Sequence, residues 1–340
     1  MADLISIVIP ALNEERNIAV LEDELKAALD ALPYDFEFIV VDNGSTDRTS
    51  EEVLEVCHRD PRWKYVRFSR NFGLDASITA GYRLASGDAI VVLYSDLQDP
   101  PSVIPAFIQK WREGFDVVYG VRTVRHGDPP WRNALIRLAY RIISAMADVA
   151  IPRNAGDFRL ISRPVRDALE SCGEYNRYLR GLIAWLGFRQ IGVEYARRSR
   201  AAGESKFPIG SLIVFALNAF TSFSVKPLRV FMWLGFALLA LSFLAVPVYI
   251  FLYLLGGTPQ GVTTLIVLSL LGIGINSLGI GILGEYLGRT YAETKHRPLY
   301  VITDSANLTS AGLPSRPRPS RGAGSPIDHA SSQRSDTESA

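Results

Sequence analysis

The sequence is poor in the residues that build disulfide scaffolds and zinc sites. It has two cysteines and four histidines in 340 residues, and the histidines fall in unrelated contexts. These counts exclude a disulfide-stapled secreted module and a cysteine-rich zinc module. Lysine and arginine number 36 against 35 aspartates and glutamates, for a formal net charge of +1. Because a protein that coats nucleic acid needs an excess of positive charge, we expect no nucleic-acid partner.

Charge is missing altogether from one long stretch. Residues 230–284 contain no Asp, Glu, Lys or Arg, whereas a soluble helix of that length needs a polar face. Two apolar runs in it, 230–255 and 262–284, each exceed the ~20 residues that cross a bilayer. A turn rich in glycine separates them. We expect a transmembrane hairpin; a buried helical hairpin in a soluble core would need a larger domain to cover it.

Basic residues flank this hairpin on both sides: Lys226, Arg229, Arg289, Lys295 and Arg297. The connecting loop carries no charge, so the positive-inside rule places both ends of the hairpin in the cytosol. We therefore expect a multi-pass protein of the inner (plasma) membrane, with its large N-terminal domain and both termini cytosolic. After residue 305 the chain turns to Ser, Pro, Arg and Gly, a composition typical of a disordered tail.

Two periodicities alternate in the N-terminal part of the chain. Short apolar runs predict strands at 4–10, 37–42, 64–69, 89–95 and 117–122, and helical spacing predicts helices at 15–32, 49–59 and 74–85. Strands that alternate with helices predict a mostly parallel sheet with helices on both faces. The carboxyl ends of such strands meet at one edge, where ligands of open α/β sheets bind.

Polar residues follow the predicted strands at that edge. Asp42 ends the second strand, and Asp96 and Gln98 follow the fourth. A carboxylate in such a place is costly unless it binds a ligand or caps a helix; for Asp47 and Asp99 capping stays an equal alternative. The chain has neither a Gly-x-x-x-x-Gly-Lys-Ser/Thr loop nor a Gly-x-Gly-x-x-Gly turn, which argues against a P-loop NTPase and a Rossmann dehydrogenase.

A nucleotide at this edge would therefore be held by carboxylates and a hard divalent cation. Mg²⁺ and Mn²⁺ prefer oxygen ligands, typically one or two carboxylates together with substrate phosphates. Asp96 and Gln98 lie two residues apart on an extended segment, so both side chains can reach one such ion.

Six motifs follow one another along the chain: Val8–Glu14, Val41–Thr49, Arg70–Gly73, Asp96–Pro101, Gly156–Leu160 and Arg198–Lys206. Together with the hairpin they resemble family 2 glycosyltransferases of the GT-A fold, in the polyprenyl-phosphate branch that includes bactoprenol glucosyltransferases and dolichol-phosphate mannose synthases. The resemblance covers about residues 4–300. It implies a cytosolic GT-A domain at 1–225, a transmembrane hairpin at 226–290, a cytosolic extension at 291–304 and a disordered tail at 305–340.

The resemblance also implies roles for individual residues. On the donor side, the nucleotide-binding residues are expected to be Pro10, Leu12, Glu14, Asp42 and Asp96. Asp96 with Gln98 is expected to hold Mg²⁺ or Mn²⁺ on the donor diphosphate, and Asp157 matches the carboxylate of the acceptor site, so Asp96 and Asp157 are the catalytic candidates. Phosphate suits guanidinium and ammonium groups, and the acceptor-phosphate candidates are Arg122, Arg159, Arg198 and Lys206. The chain departs from the family's usual Asp-x-Asp, because Tyr94 stands at the first position.

The activity implied is an inverting, metal-dependent transfer of a single sugar from a UDP- or GDP-linked donor to undecaprenyl or dolichyl phosphate on the cytosolic face. The Gln-x-x-Arg-Trp motif of processive relatives is absent. Two amphipathic stretches, about 131–149 and 207–223, are expected at the bilayer interface, although the first fits a helix packed on the sheet as well. The alternatives are a catalytically silent membrane subunit, for which Tyr94 speaks, and a transporter, which fits poorly with two uncharged spans. Homo-oligomer formation is left open.

Overall fold

The computed structural model describes residues 3–122, 155–175, 177–198, single positions between 231 and 255, and 261–308. The first half alternates strand and helix: β1 (Leu4–Ala11), α1 (Ile18–Leu29), β2 (Asp35–Asp42), α2 (Thr49–Arg59), β3 (Trp63–Phe68), α3 (Leu74–Leu84), β4 (Ala89–Val92), α4 (Ile104–Arg112) and β5 (Val117–Arg122). Then come β6 (Ala155–Ser162), α5 (Arg163–Ser171), α6 (Leu179–Trp185), β7 (Gln190–Tyr195), α7 (Val262–Thr294) and β8 (Ile302–Ala306).

The described strands form one mixed sheet in the order β7-β5-β6-β4-β1-β2-β3-β8. The predicted parallel centre is present, since β1 pairs in parallel with both β2 and β4, and β2 with β3. The sequence did not predict β6, which runs antiparallel between β4 and β5, nor the parallel edge strand β7. The α/β prediction is thus confirmed, with a sheet more mixed than expected.

Two apolar layers cover the sheet, because successive side chains of a strand point to opposite faces. Ile5, Ile7 and Ile9 of β1 are buried in one layer with residues of α1, α2 and α4. Val8, between them, belongs to the other layer with residues of α3, α5 and α6. Each such fully buried side chain contributes about 1.5–3 kcal/mol. This packing holds the carboxyl ends of β1, β2 and β4 in fixed positions at one edge.

The C-terminal part leaves the sheet and returns to it. The second apolar run lies inside α7, and large apolar side chains on this helix are exposed, among them Leu265, Leu268, Ile273 and Ile280. Among the residues that the structure describes, no helix meets the length and hydropathy expected of a bilayer span. After α7, β8 pairs antiparallel with β3, so Ser305 and Ala306, at the start of the predicted tail, belong to an edge strand.

Three sequence predictions fall wholly or largely outside the described residues. These are the amphipathic stretches at 131–149 and 207–223 and most of the first apolar run, of which only single positions are described.

Candidate active site

The carboxyl ends of β1, β2 and β4 open into a cavity of about 780 Å³, which we call the active-site cavity. Loops after these strands supply part of its wall. The loop after β3, the first turns of α3, β5, β6, α6 and the segment after β7 supply the rest. The lining includes Pro10, Ala11, Leu12, Glu14, Asn43, Asn71, Tyr94, Ser95, Asp96, Gln98, Arg122, Asp157, Arg180 and Arg197. The cavity therefore lies at the edge where open α/β sheets bind ligands.

Seven of the site residues expected from the sequence line this cavity: Pro10, Leu12, Glu14, Asp96, Gln98, Arg122 and Asp157. Three others lie elsewhere among the described residues, namely Asp42, Arg159 and Arg198. Lys206 lies outside the described residues.

Asp42 is fully buried beneath the cavity wall. Its carboxylate accepts hydrogen bonds from the Ser45 backbone N–H and the Ser50 hydroxyl, both at 2.7 Å, and from the Tyr65 hydroxyl at 3.1 Å. These bonds shape the loop after β2, in which Gly44 has a φ of +79°. The side chain that this loop presents to the cavity is that of Asn43. Asp42 therefore supports the loop after β2 and does not itself line the cavity.

Asp157 stands at the centre of a buried polar cluster. Arg180 Nε donates to its Oδ1 at 2.6 Å and Arg180 Nη2 to its Oδ2 at 2.5 Å, and the Tyr94 hydroxyl also donates to Oδ2. Burial by itself raises the pKa of Asp157, but the hydrogen bonds and charge of Arg180 outweigh burial and lower the pKa to about 2. Asp157 is therefore ionised at any physiological pH, although only 7% of its surface is exposed.

Tyr94, which stands at the first position of the family's Asp-x-Asp motif, donates a hydrogen bond to Asp157 in this cluster. Burial, followed by the charge of Asp157, raises the pKa of Tyr94 well above its ordinary value, so its hydroxyl stays protonated and remains a donor. Arg159 lies behind the cluster, where Nη2 donates to the Gly156 carbonyl at 2.8 Å and stays 3.9 Å from the Asp157 carboxylate. Arg159 is buried and does not line the cavity.

Asp96 and Gln98 face the cavity from a tight turn in which Leu97 has a φ of +57°. Asp96 Oδ1 accepts the Gln98 backbone N–H at 3.2 Å, and Oδ2 lies 3.9 Å from Arg197 Nη2. No group of three or more His, Cys, Asp or Glu side chains in the described part of the chain could hold a metal. One carboxylate beside one amide oxygen fits Mg²⁺ or Mn²⁺ only where a substrate diphosphate and water complete the coordination.

Two arginines line the cavity and are oriented by a buried carboxylate, Asp99. The Tyr195 hydroxyl donates to Asp99 Oδ1, Arg197 Nε lies 3.4 Å from the same oxygen, and Arg122 Nη2 lies 3.8 Å from Oδ2. Arg122 Nε in turn donates to the Tyr195 hydroxyl at 3.3 Å. This arrangement holds two guanidinium groups at the cavity wall, where they can bind phosphate oxygens.

Arg198, which was expected to bind the acceptor phosphate, points elsewhere. Its guanidinium pairs with Glu24 of α1 at 2.6 Å and is half exposed, and the cavity-lining side chain is that of Arg197. Sequence reasoning also missed Arg180, Asn43 and Asn71. Both asparagines lie inside motifs that the sequence had already singled out, whereas nothing in the sequence around Arg180 marked it.

Comparison with known proteins decides the family. Residues 6–169 match the family model described as glycosyl transferase family 2. The uncharacterized glycosyltransferase YkcC of Bacillus subtilis is 42% identical over 309 residues, which is 91% of this chain and 96% of the relative. The chain belongs to glycosyl transferase family 2. It is therefore an enzyme, a glycosyltransferase, and the resemblance drawn from the motifs is confirmed.

Other relatives carry more specific names. The bactoprenol glucosyl transferase of Shigella phage SfV is 38% identical over 299 residues, which is 88% of this chain and 97% of the relative. Among solved structures, glucosyl-3-phosphoglycerate synthase from Mycobacterium tuberculosis, in complex with Mn²⁺, UDP-glucose and phosphoglyceric acid, is 20% identical with a TM-score of 0.42. That match covers 64% of this chain and 78% of the synthase, and a likeness this loose does not transfer its ligands to this chain.

Proposed function

We propose that this glycosyltransferase moves a single glucose from a nucleotide-linked donor to the phosphate of bactoprenol, at the cytosolic face of the membrane. One observation carries the proposal. A single cavity combines the donor-side residues Glu14 and Asp96 with three guanidinium groups, those of Arg122, Arg180 and Arg197. A nucleotide sugar and a phosphate acceptor both require cationic partners, and the names of the relatives favour glucose and bactoprenol.

On the donor side, the loop after β1 offers Pro10, Leu12 and Glu14 to the nucleoside. Asp96 and Gln98 would hold Mg²⁺ or Mn²⁺, which would neutralise the negative charge that develops on the leaving nucleoside diphosphate. Arg122 and Arg197, which lie near the buried Asp99, bind diphosphate oxygens beside Asp96.

On the acceptor side, a phosphate monoester is already an anion and needs no strong base to become a nucleophile. With a pKa of about 2, Asp157 is too weak a base to remove a proton from the acceptor. Its role is to hold Arg180 in place, and the N–H groups of Arg180 that do not bind Asp157 receive the acceptor phosphate. A phosphate oxygen then forms a bond to the anomeric carbon as the bond to the diphosphate oxygen breaks, with inversion at that carbon.

The membrane location rests on the uncharged stretch 230–284 and its basic flanks. Exposed apolar side chains on α7 support it, because contiguous exposed apolar surface marks a contact with a membrane or a partner. Both ends of the hairpin face the cytosol, which places a lipid-anchored phosphate and a soluble nucleotide sugar on the same side.

The test is transfer of radiolabel by the purified full-length chain, with undecaprenyl phosphate as acceptor and UDP-glucose, UDP-N-acetylglucosamine and GDP-mannose as competing donors. We expect label from the glucose donor in the lipid extract, and its loss in excess EDTA. Asp96→Asn should lower turnover by at least ~10²-fold, because it removes the one carboxylate that holds the ion. Asp167→Asn, an exposed carboxylate on α5, is the matched control and should retain full activity.

Lipid that stays unlabelled with every donor, from a chain that still binds nucleotide, would favour the catalytically silent subunit. Tyr94 no longer supports the hypothesis of a silent subunit, because its hydroxyl donates a hydrogen bond to Asp157. Full activity in EDTA would contradict the metal site at Asp96 and Gln98.

A further inference from the structure

Two further cavities lie between the active-site cavity and the end of α7. A cavity of about 340 Å³ shares Gly73 and Leu74 with the active-site cavity. It also shares Tyr175, Arg177 and Leu299 with a third cavity of about 880 Å³. The third cavity is walled by the last turns of α7 and by the segment after it, including Arg289 and Arg297. Because neighbouring cavities share lining residues, the three lie next to one another along one side of the domain.

Arginines line both of these further cavities. We call four of them the arginine groove, namely Arg70, Arg83, Arg177 and Arg297. Four acidic residues line the same two cavities, namely Asp75, Glu170, Glu174 and Glu293. Glu293 accepts the Tyr175 backbone N–H with both oxygens, at 2.8 and 2.9 Å, and Glu170 lies 3.8 Å from Arg83.

Two members of the groove form no close ion pair with a carboxylate among the described residues, although the charge of Glu174 acts on Arg177. Arg177 donates only to the backbone carbonyls of Glu174 and Cys172. Arg70 donates to the Asn71 carbonyl at 3.1 Å and stacks on the Phe72 ring at 4.1 Å. Burial, followed by the positive charge of Arg83, lowers the pKa of Arg177. Arg177 is half-buried and Arg70 is exposed, and an anion in the cavity that both line could accept charge-assisted hydrogen bonds from their guanidinium groups.

The position of the groove indicates where that anion comes from. The wall of the outer cavity begins at Tyr286, two residues after the last residue of the uncharged stretch. A helix rises 1.5 Å per residue, so the outer cavity begins within one helical turn of the segment that we assign to the bilayer. Leu283 and Leu287 on the same helix are exposed. A phosphate at the surface of a membrane lies at this depth, with its lipid tail free to follow the apolar helix.

We propose that the arginine groove binds the phosphate of a membrane lipid and leads it from the end of α7 to Asp157 and Arg180. The inference rests on the proposed function, because it gives the acceptor a route to the reaction site. Two lipids share the required chemistry: the polyprenyl phosphate acceptor, with a terminal monoester, and an anionic phospholipid, with a diester.

The experiment uses the full chain in phosphatidylcholine nanodiscs that carry either undecaprenyl phosphate or phosphatidylglycerol. Bound lipid is counted by native mass spectrometry, and KM and kcat are measured for the acceptor and for UDP-glucose. The variants are Arg177→Gln and Arg70→Gln, with Arg177→Lys to restore the charge. Arg112→Gln is the matched control, because Arg112 is an exposed arginine on α4 that pairs with Asp3 outside the groove.

We expect Arg177→Gln and Arg70→Gln each to raise the KM for undecaprenyl phosphate about tenfold and to reduce bound lipid, because each removes a charge-assisted phosphate contact. The kcat and the KM for the donor should stay within about twofold in all variants. Arg177→Lys should recover most of the loss, which a purely structural role in the loop would not allow.

The outcomes separate the two lipids and the two proposals. Loss of phosphatidylglycerol binding with an unchanged acceptor KM overturns the acceptor route and identifies the groove as a phospholipid site. Unchanged binding of both lipids in both glutamine variants overturns the groove. If the wild-type chain binds undecaprenyl phosphate through Arg177 yet transfers no sugar, the proposed function fails and the groove stands.

Discussion

Replacing Arg180 by glutamine tests the electrostatic core of the site. The pKa of Asp157 is about 2, against an ordinary value of 3.8, and this difference corresponds to about 2 kcal/mol. Because folding lowers this pKa, the stabilisation is present above the ordinary pKa and is lost as the pH falls through about 4 to about 2. Without the Arg180 guanidinium, burial is opposed only by the charge of Arg159 and the Tyr94 hydroxyl, so the pKa of Asp157 should rise.

The expected loss is larger than that difference, because the variant leaves a buried carboxylate unpaired. Breaking one partner of a buried pair costs about 3–5 kcal/mol. We expect thermal unfolding of the full chain in detergent to show a large deficit at neutral pH. The deficit should shrink as the pH falls toward the raised pKa, where Asp157 takes up a proton.

Activity should follow the same pH dependence. The kcat/KM of the Arg180→Gln enzyme should be low at neutral pH, where the unpaired Asp157 carboxylate repels the acceptor phosphate, and should recover in part in acid as that carboxylate takes up a proton. Arg180→Lys restores the charge without the fork, so its stability should lie between those of the wild type and Arg180→Gln. Arg112→Gln, at an exposed ion pair, should lower the free energy of unfolding by at most about 1 kcal/mol. A deficit in Arg180→Gln that is the same at neutral and acid pH would refute the reasoning.

Three further predictions concern the loops, a second carboxylate and the topology. Gly44→Ala puts a Cβ at a φ of +79° and 2.7 Å from a backbone carbonyl carbon of the loop after β3, so we expect a loss of about 1–3 kcal/mol in thermal unfolding; Gly173→Ala, where a Cβ meets nothing within 4 Å, should be tolerated. Burial and a neighbouring carboxylate raise the pKa of Asp75 to about 6, so ionisation destabilises the fold as the pH rises through about 4 to about 6. Asp75→Asn should then raise the Tm at about pH 7.5 and leave it unchanged at about pH 4. In intact cells, an impermeant thiol reagent should label a cysteine placed at Thr258 and miss one placed at Ser102; the reverse pattern would contradict the cytosolic placement of both termini.

Local patterns in the chain were enough to predict much of the architecture. The strands β1 to β5 and the helices α1 to α3 follow from apolar periodicity, because burial on the two faces of a parallel sheet leaves a local repeat in the sequence. The helix α4 was not among these predictions. The same patterns placed Glu14, Asp96 and Gln98 at the binding edge, since every parallel strand in such a sheet ends there. The uncharged stretch 230–284 predicts a membrane hairpin by length alone.

Tertiary structure decided which of the polar side chains meet in the cavity. Arg180 comes from α6 and reaches Asp157 of β6 because both elements pack beside β4; no local pattern encodes such a contact between distant segments. The neighbours Arg197 and Arg198 look alike in the sequence. The side chain of Arg197 lines the cavity because the backbone after β7 turns there, whereas the side chain of Arg198 reaches α1. The antiparallel strand β6 was missed for the same reason: periodicity reports which face of a strand is buried, whereas the partner of a strand is chosen only when the whole sheet assembles.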